Sequence, residues 1–280
     1  MAKIGEINQL TILRHVDFGL YLDGGDSGEI LLPKREIPKD ADTTVGQPLS
    51  VFVYHDSEDR LIATGRRPRA MLGQFAALKV VDINRTGIFL DWGLAKDLFM
   101  PHSEEKRPLQ TGDTVLVYVY QDVHTGRLLA SAQLERFAHS DASDSGYTVN
   151  QPLSLWVAER NEHGYLCLVN ETYLGLLHHH EVFKPVKIGQ GLQGYVRELR
   201  ADGRLSLSVQ MQGQAVRDEL SERILAELEA RGGVLELSDK SSAEAIAAVF
   251  GVSKGNYKKA IGGLFKQGLI EIEPQHIRSK

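Results

Sequence analysis

Phe18 and Tyr21 flank Leu20 and Leu22, whose alternation already supplies the core face of a short strand. The two rings are then left over for the surface. A flat exposed ring can stack on an unpaired nucleobase, each stack contributing about 1–3 kcal/mol, or it can pack against a neighbouring domain. Both readings stand for Phe18 and Tyr21, and for Phe89, which lies between Ile88 and Leu90. Arg60, Arg127 and Arg204 recur at one hairpin position. There a guanidinium can hold a phosphate or only neutralise Asp59, Asp122 and Asp202 nearby.

His178, His179 and His180 invite a metal reading. On a strand, adjacent side chains point to opposite faces, so three consecutive histidines cannot all reach one ion. No cysteine pair or spaced carboxylate set completes a site, and no metal or cofactor is expected. His178 stays a candidate for base or phosphate contact, or a plain surface residue. The chain shows no nucleophile elbow, phosphate loop or paired-carboxylate motif. It is not expected to be an enzyme.

The 280 residues carry a net charge of −5 and one cysteine, Cys167. That balance counts against wholesale capture of nucleic acid by charge and requires any such surface to be a local patch. Cys167 sits in an alternating strand and reads as a small buried hydrophobe. No apolar run approaches the roughly 20 residues needed to span a bilayer, and the first residues do not form a secretory signal. A soluble cytoplasmic protein is expected.

The elements that would position these residues come from an internal repeat. Asp17-Phe18-Gly19-Leu20-Tyr21, Arg85-Thr86-Gly87-Ile88-Phe89 and Glu162-His163-Gly164-Tyr165-Leu166 open three copies. Each continues to a Gly-Gln or Gly-Asp turn and a hairpin closing on Arg and small residues. Within each copy the side-chain period is two. Five short strands with a loop between the third and fourth describe a small closed barrel, which leaves no exposed strand edge. The copies are assigned to residues 1–67, 68–137 and 147–212, with the small, polar stretch from Phe137 to Gly146 read as a flexible linker.

From residue 213 to 280 the period becomes 3.6. Val216, Leu220, Ile224, Leu225 and Leu228 form a stripe that Gly232-Gly233 ends. The spacing predicts a strand at 234–237, a helix through Phe250 capped by Ser241 or Ser242, a third helix from Lys254 to about Gln267, and a last strand at 268–273. This is the order of a winged helix-turn-helix. The third helix carries Lys254, Asn256, Tyr257, Lys258, Lys259 and Lys266, with Ala260, Ile261, Leu264 and Phe265 as its buried stripe. The unit has ten acidic and ten basic residues, so it is neutral overall.

The Gly5, Asp17–Tyr21 and Gly46-Gln47-Pro48-Leu49 segments with the Arg60 hairpin resemble an S1 RNA-binding domain, a variant of the OB barrel. The ending Arg204-Leu205-Ser206-Leu207-Ser208 resembles it most closely. Three such domains followed by a winged helix resemble the conserved virulence factor B family of bacterial RNA-binding regulators. The expected fold is mainly β with a small α/β tail: three tandem S1-like OB barrels, then a winged helix.

The resemblance implies non-catalytic binding of single-stranded RNA on the barrel face, with effects on gene expression. It places aromatics at Phe18 and Tyr21 in the first copy, Phe89 in the second and Tyr165 in the third. The third-strand position falls on Leu31, Phe99 and His178. Tyr195 and Arg197 share one side of an alternating strand, and with Lys184, Lys187, Arg200 and Arg204 they make the third copy the most basic face. The competing reading is a DNA-binding transcription regulator in which Lys254, Asn256, Tyr257, Lys258 and Lys259 contact duplex DNA and the barrels bind protein. A ribosome- or polymerase-associated scaffold is a third.

Overall fold

The computed structural model describes residues 1–182, 184–211 and 214–280, without the side chains of 214–219. Val216 of the expected stripe and the expected boundary at 212/213 therefore lie outside the described residues. The first barrel comprises β1 (Ile7–Val16), β2 (Gly19–Asp23), β3 (Glu29–Pro33), β4 (Pro48–His55) and β5 (Leu61–Thr64). The second comprises β6 (Phe75–Ile83), β7 (Gly87–Asp91), β8 (Leu98–Pro101), β9 (Thr114–Gln121) and β10 (Leu128–Ser131). The third comprises β11 (Pro152–Arg160), β12 (Gly164–Val169), β13 (Tyr173–His178), β14 (Gly191–Leu199) and β15 (Leu205–Ser208). Each sheet closes in the order first, second, third, fifth, fourth, with third and fifth strands parallel.

Two repeated features explain the closure. Gly19, Gly87 and Gly164 begin the second strands, where a Cβ would collide with the carbonyl oxygens of Leu32, Met100 and Leu177 across the sheet. Only glycine permits that approach. The first strand of each barrel also carries an extra residue, Leu13, Val81 or Ala158, at a register shift. Such a bulge bends and coils the strand. One long strand can then pair with the second strand along one half and the fourth along the other.

A carboxylate, buried in the first two barrels and half-buried in the third, locks each barrel, and the sequence reading missed it. After the third strand comes a short 3₁₀ turn ending or centred on Glu36, Glu104 or Glu181. Thr64 Oγ1 donates to Glu36 (2.8 Å), Ser131 Oγ to Glu104 (2.5 Å) and Ser208 Oγ to Glu181 (2.6 Å). The hydroxyl in each case ends the fifth strand. An arginine completes the set: Arg66 at 3.0 Å, Arg136 at 2.7 Å and Arg197 at 2.8 Å. These arginines come from three different places in the repeat, so no alignment of the copies reveals them.

Met1–Phe137 and Ala138–Lys280 form two compact units. In the first unit, Phe52 and Tyr54 of β4 meet Trp92, with ring centroids 5.7 and 6.1 Å apart, and these rings share a core cluster with the second barrel. The Lys96 ammonium donates to the carbonyls of His55 (3.2 Å) and Asp56 (2.7 Å). An Arg127–Asp59 ion pair also joins the two barrels.

In the second unit, the stretch expected as a flexible linker packs on the third barrel. Ala142 is fully buried, its amide donates to the Gly203 carbonyl (2.8 Å), and His139 bridges to Tyr173. The small polar residues around Ala142 form turns, and turn composition alone does not distinguish a docked loop from a free one. Cys167 lies fully buried in this barrel, and burial pushes its thiol up to about 12. A thiol reagent such as Ellman's is expected to react with it only after denaturation. Stoichiometric reaction in the native protein would contradict the packing.

The tail comprises α1 (Gln214–Ala230), β16 (Val234–Leu235), α2 (Ala243–Phe250), α3 (Lys254–Lys266), β17 (Ile270–Ile272) and β18 (Ile277–Ser279). Ser242 caps α2 by accepting from the Ala245 amide (3.1 Å), and Ser253 caps α3 through Asn256 (3.0 Å). The expected strand at 234–237 is shorter. β18, which the sequence reading lacked, lies between β16 and β17. It holds three residues, one of them buried, too few to show a period. Among the described residues, no helix is long and apolar enough to cross a membrane.

Candidate nucleic-acid interface

On the outer face of the first barrel, Tyr21 pairs with Arg14 on β1 and Leu31 on β3. The Arg14 guanidinium lies 4.1 Å from the centre of the Tyr21 ring, a cation–π contact. Its other side meets Glu29 at 2.6 Å. Phe18, in the turn before β2, is 58% exposed and presents its ring edge-on to Tyr21 at 6.4 Å. Arg60 is exposed but paired with Asp56 (2.8 Å) and Glu58 (2.9 Å), not with Asp59. Leu20 and Leu22 point into the core, as the alternation requires.

In the second barrel the equivalent row runs Phe89, Phe99, Leu129 across β7, β8 and β10. The two phenyl rings lie 5.3 Å apart, both half-buried. Arg127, a candidate phosphate ligand, is held by Asp59 of the first barrel. Thr86 lies in the exposed turn.

The third barrel differs. Gly164 pairs with His178 as Gly19 pairs with Pro33. The outer row in this register is Leu166, Leu176 and Ser206. Tyr165 falls one residue earlier, opposite Leu177, on the row that faces the core, and packs on the core cluster, meeting His179 edge-on with ring centroids 5.3 Å apart. The strand ends at His178, so the three histidines do not alternate: His178 and His180 stack at 5.3 Å. Burial, then His180 and Arg197, hold the His178 imidazole below the usual histidine range. Arg197 donates to His180 (2.7 Å) and binds Glu181. Tyr195 is half-buried opposite Pro152 and Ser208. Arg204 is exposed, with Asp202 at 3.9 Å.

On α3, Tyr257 is not a surface residue. It is fully buried in the tail's core, and its hydroxyl donates to the Leu237 carbonyl (3.2 Å). At i−3 from Ala260 and i−4 from Ile261 it continues their apolar stripe, a position that the neighbouring lysines obscured. Phe265, expected in that stripe, is 53% exposed instead. Asn256 donates to Gln210 (3.2 Å) and Lys254 to the Lys240 carbonyl (3.4 Å). Lys258 and Lys259 are exposed, with Asp239 3.8 Å from Lys258.

Residues 4–66 and 72–133 match the S1 domain, and residues 222–278 match the CvfB-like winged helix domain. The chain is a run of S1 domains with a CvfB-like winged helix. The resemblance to the conserved virulence factor B family drawn from its residues therefore holds. Conserved virulence factor B of Staphylococcus epidermidis is 28% identical over 96% of the chain and 92% of that protein. A Bacillus subtilis protein, YitL, is 29% identical over 95% of the chain and 90% of its own length. A solved multidomain protein with nucleic acid binding domains from Streptococcus pneumoniae is 26% identical, covering 99% of this chain and 98% of that one, at a TM-score of 0.47. S1 and winged-helix domains together make a nucleic-acid-binding regulatory protein.

In the two matched S1 domains the rings lie where one sheet face offers them to solvent. Arg14, absent from the sequence reading, joins them because the bulge at Leu13 shifts the register of β1 against β2. Without the bulge, simple alternation does not place Arg14 opposite Tyr21.

Proposed function

We propose that this protein binds single-stranded RNA through the aromatic faces of its S1 domains, without catalysis, and so regulates gene expression after transcription in the cytoplasm. The observation that carries the reading is a pair of neighbouring rings on the outer face of each matched barrel, Phe18 with Tyr21 and Phe89 with Phe99, in which Tyr21 and Phe89 hold equivalent positions. Rings so placed stack on bases of any sequence. Arg14 is the nearest guanidinium to such a ring. Several weak faces on one chain bind one strand with useful avidity. The joining of S1 domains to a CvfB-like winged helix supports a regulatory role.

The exposed Lys258 and Lys259 of α3 favour a second reading, in which the winged helix contacts duplex DNA. One experiment separates the two. Fluorescence anisotropy of the full chain with an RNA oligomer and with duplex DNA, at several salt concentrations, should show tighter binding to RNA. The log of the RNA affinity should fall linearly with log salt, at about −0.7 per phosphate neutralised. Preference for duplex DNA, abolished by Lys258→Glu with Lys259→Glu, would replace the RNA reading with the DNA one.

A further inference from the structure

The β4–β5 hairpin of the first barrel borders the ring pair of the second, and between them lies a cleft of about 460 Å³. That volume falls within the roughly 300–1,000 Å³ of small-ligand pockets. Phe89 and Phe99 form an apolar floor, while His55 and Ser57 line it from the hairpin and Asp97 from the second barrel. His55 Nδ1 is buried and has no hydrogen-bond partner among the described residues. Burial, and then the Lys96 charge, hold the His55 imidazole below its usual range. The hairpin is pinned by Lys96 on two of its carbonyls and by the Arg127–Asp59 pair. The cleft is thus formed before anything binds.

We propose that the cleft seats one nucleobase of the bound strand, its ring on Phe89 and Phe99 and an amino-bearing edge toward Asp97. The inference rests on the single-strand reading above and deepens it: the first barrel's hairpin selects the base that the second barrel's rings stack. The Asp97 carboxylate favours a base with an exocyclic amino group over one that presents a keto oxygen there, while the cations in the wall, Lys96 and Arg127, are engaged by the His55 and Asp56 carbonyls and by Asp59.

Cytidine and uridine monophosphates have the same size and differ at that edge. Saturation-transfer NMR on the full chain should give CMP about tenfold tighter binding than UMP. Asp97→Asn should erase the preference. Ser57→Trp, which fills the cleft without removing a wall group, should abolish CMP binding. Equal affinity for CMP and UMP, or CMP binding untouched by Ser57→Trp, would overturn the proposal. Should Ser57→Trp lose its cooperative melt, the CMP preference and its loss in Asp97→Asn decide alone. An RNA oligomer titrated into the same preparations separates the two levels. If it binds wild type and Ser57→Trp alike, the cleft proposal falls while the barrel reading stands. If wild type binds neither oligomer nor mononucleotide, both fall.

Discussion

Alanine at both Phe89 and Phe99 should lower affinity for a single-stranded RNA oligomer by about a hundredfold, since each lost stack removes about 1–3 kcal/mol. The rings are 5.3 Å apart and share their surroundings, so the double variant should lose less than the sum of the singles. Phe18→Ala should cost about tenfold by the same reasoning, because its ring is the more exposed of its pair. Arg127→Ala tests the hairpin rather than a phosphate contact. Its guanidinium is engaged by Asp59, so its removal should change RNA affinity far less than loss of the rings. Anisotropy titrations at one fixed salt concentration measure all of these. Unchanged binding by the Phe89/Phe99 variant, with its thermal melt intact, would remove the barrel face from the mechanism.

The largest effect on stability is expected from Glu104→Ala. The carboxylate is buried, accepts from Ser131 Oγ at 2.5 Å and holds Arg136 at 2.7 Å. Its loss leaves the buried Ser131 hydroxyl proton without an acceptor and Arg136 without its carboxylate, a change that costs about 3–5 kcal/mol when the whole pair is buried. Arg136 is half exposed, so water recovers part of this and about 3 kcal/mol remains. A loss of that size lowers the melting temperature of a domain this large by about 10 °C. Ser131→Ala should cost about 1 kcal/mol, and Arg136→Ala less than about 1 kcal/mol because the guanidinium is solvated. Differential scanning calorimetry of the three variants gives the order directly. Equal losses at Glu104 and Arg136 would show that the pair acts as an ordinary surface salt bridge. Because the lock ties the turn after β8 to β10, Glu104→Ala should also weaken RNA binding at a temperature where the protein is still folded. Phe99 sits on β8 and would lose its fixed position.

Much of the fold was legible because its signals are local. Period-two alternation around Gly19, Gly87 and Gly164 marked the barrels, and the serine caps with the change to period 3.6 marked the winged helix. Strand β18 was not legible, being three residues long. The docked stretch around Ala142 was not either, since its composition is that of any loop. The Glu36, Glu104 and Glu181 locks recur at matching places in the copies. Even so, a lone glutamate after a strand reads as a solvated charge until its hydroxyl partner is brought across the barrel.

The chain's letters alone determined which residues could face out: a glycine forced by close strand approach, and leucines on the inner parity, leave Tyr21 and Phe89 to the surface. Register decided the rest. Tyr165 stands one residue after its glycine where Tyr21 and Phe89 stand two, so the shared register turned it toward the core while they stayed outside, and a bulge carried Arg14 to its ring. Helical packing likewise drew Tyr257 into the tail's core from among exposed lysines. Alternation fixes a face only relative to its neighbours along the strand. Which face meets solvent, and which charges find partners, depends on contacts between residues far apart in the chain.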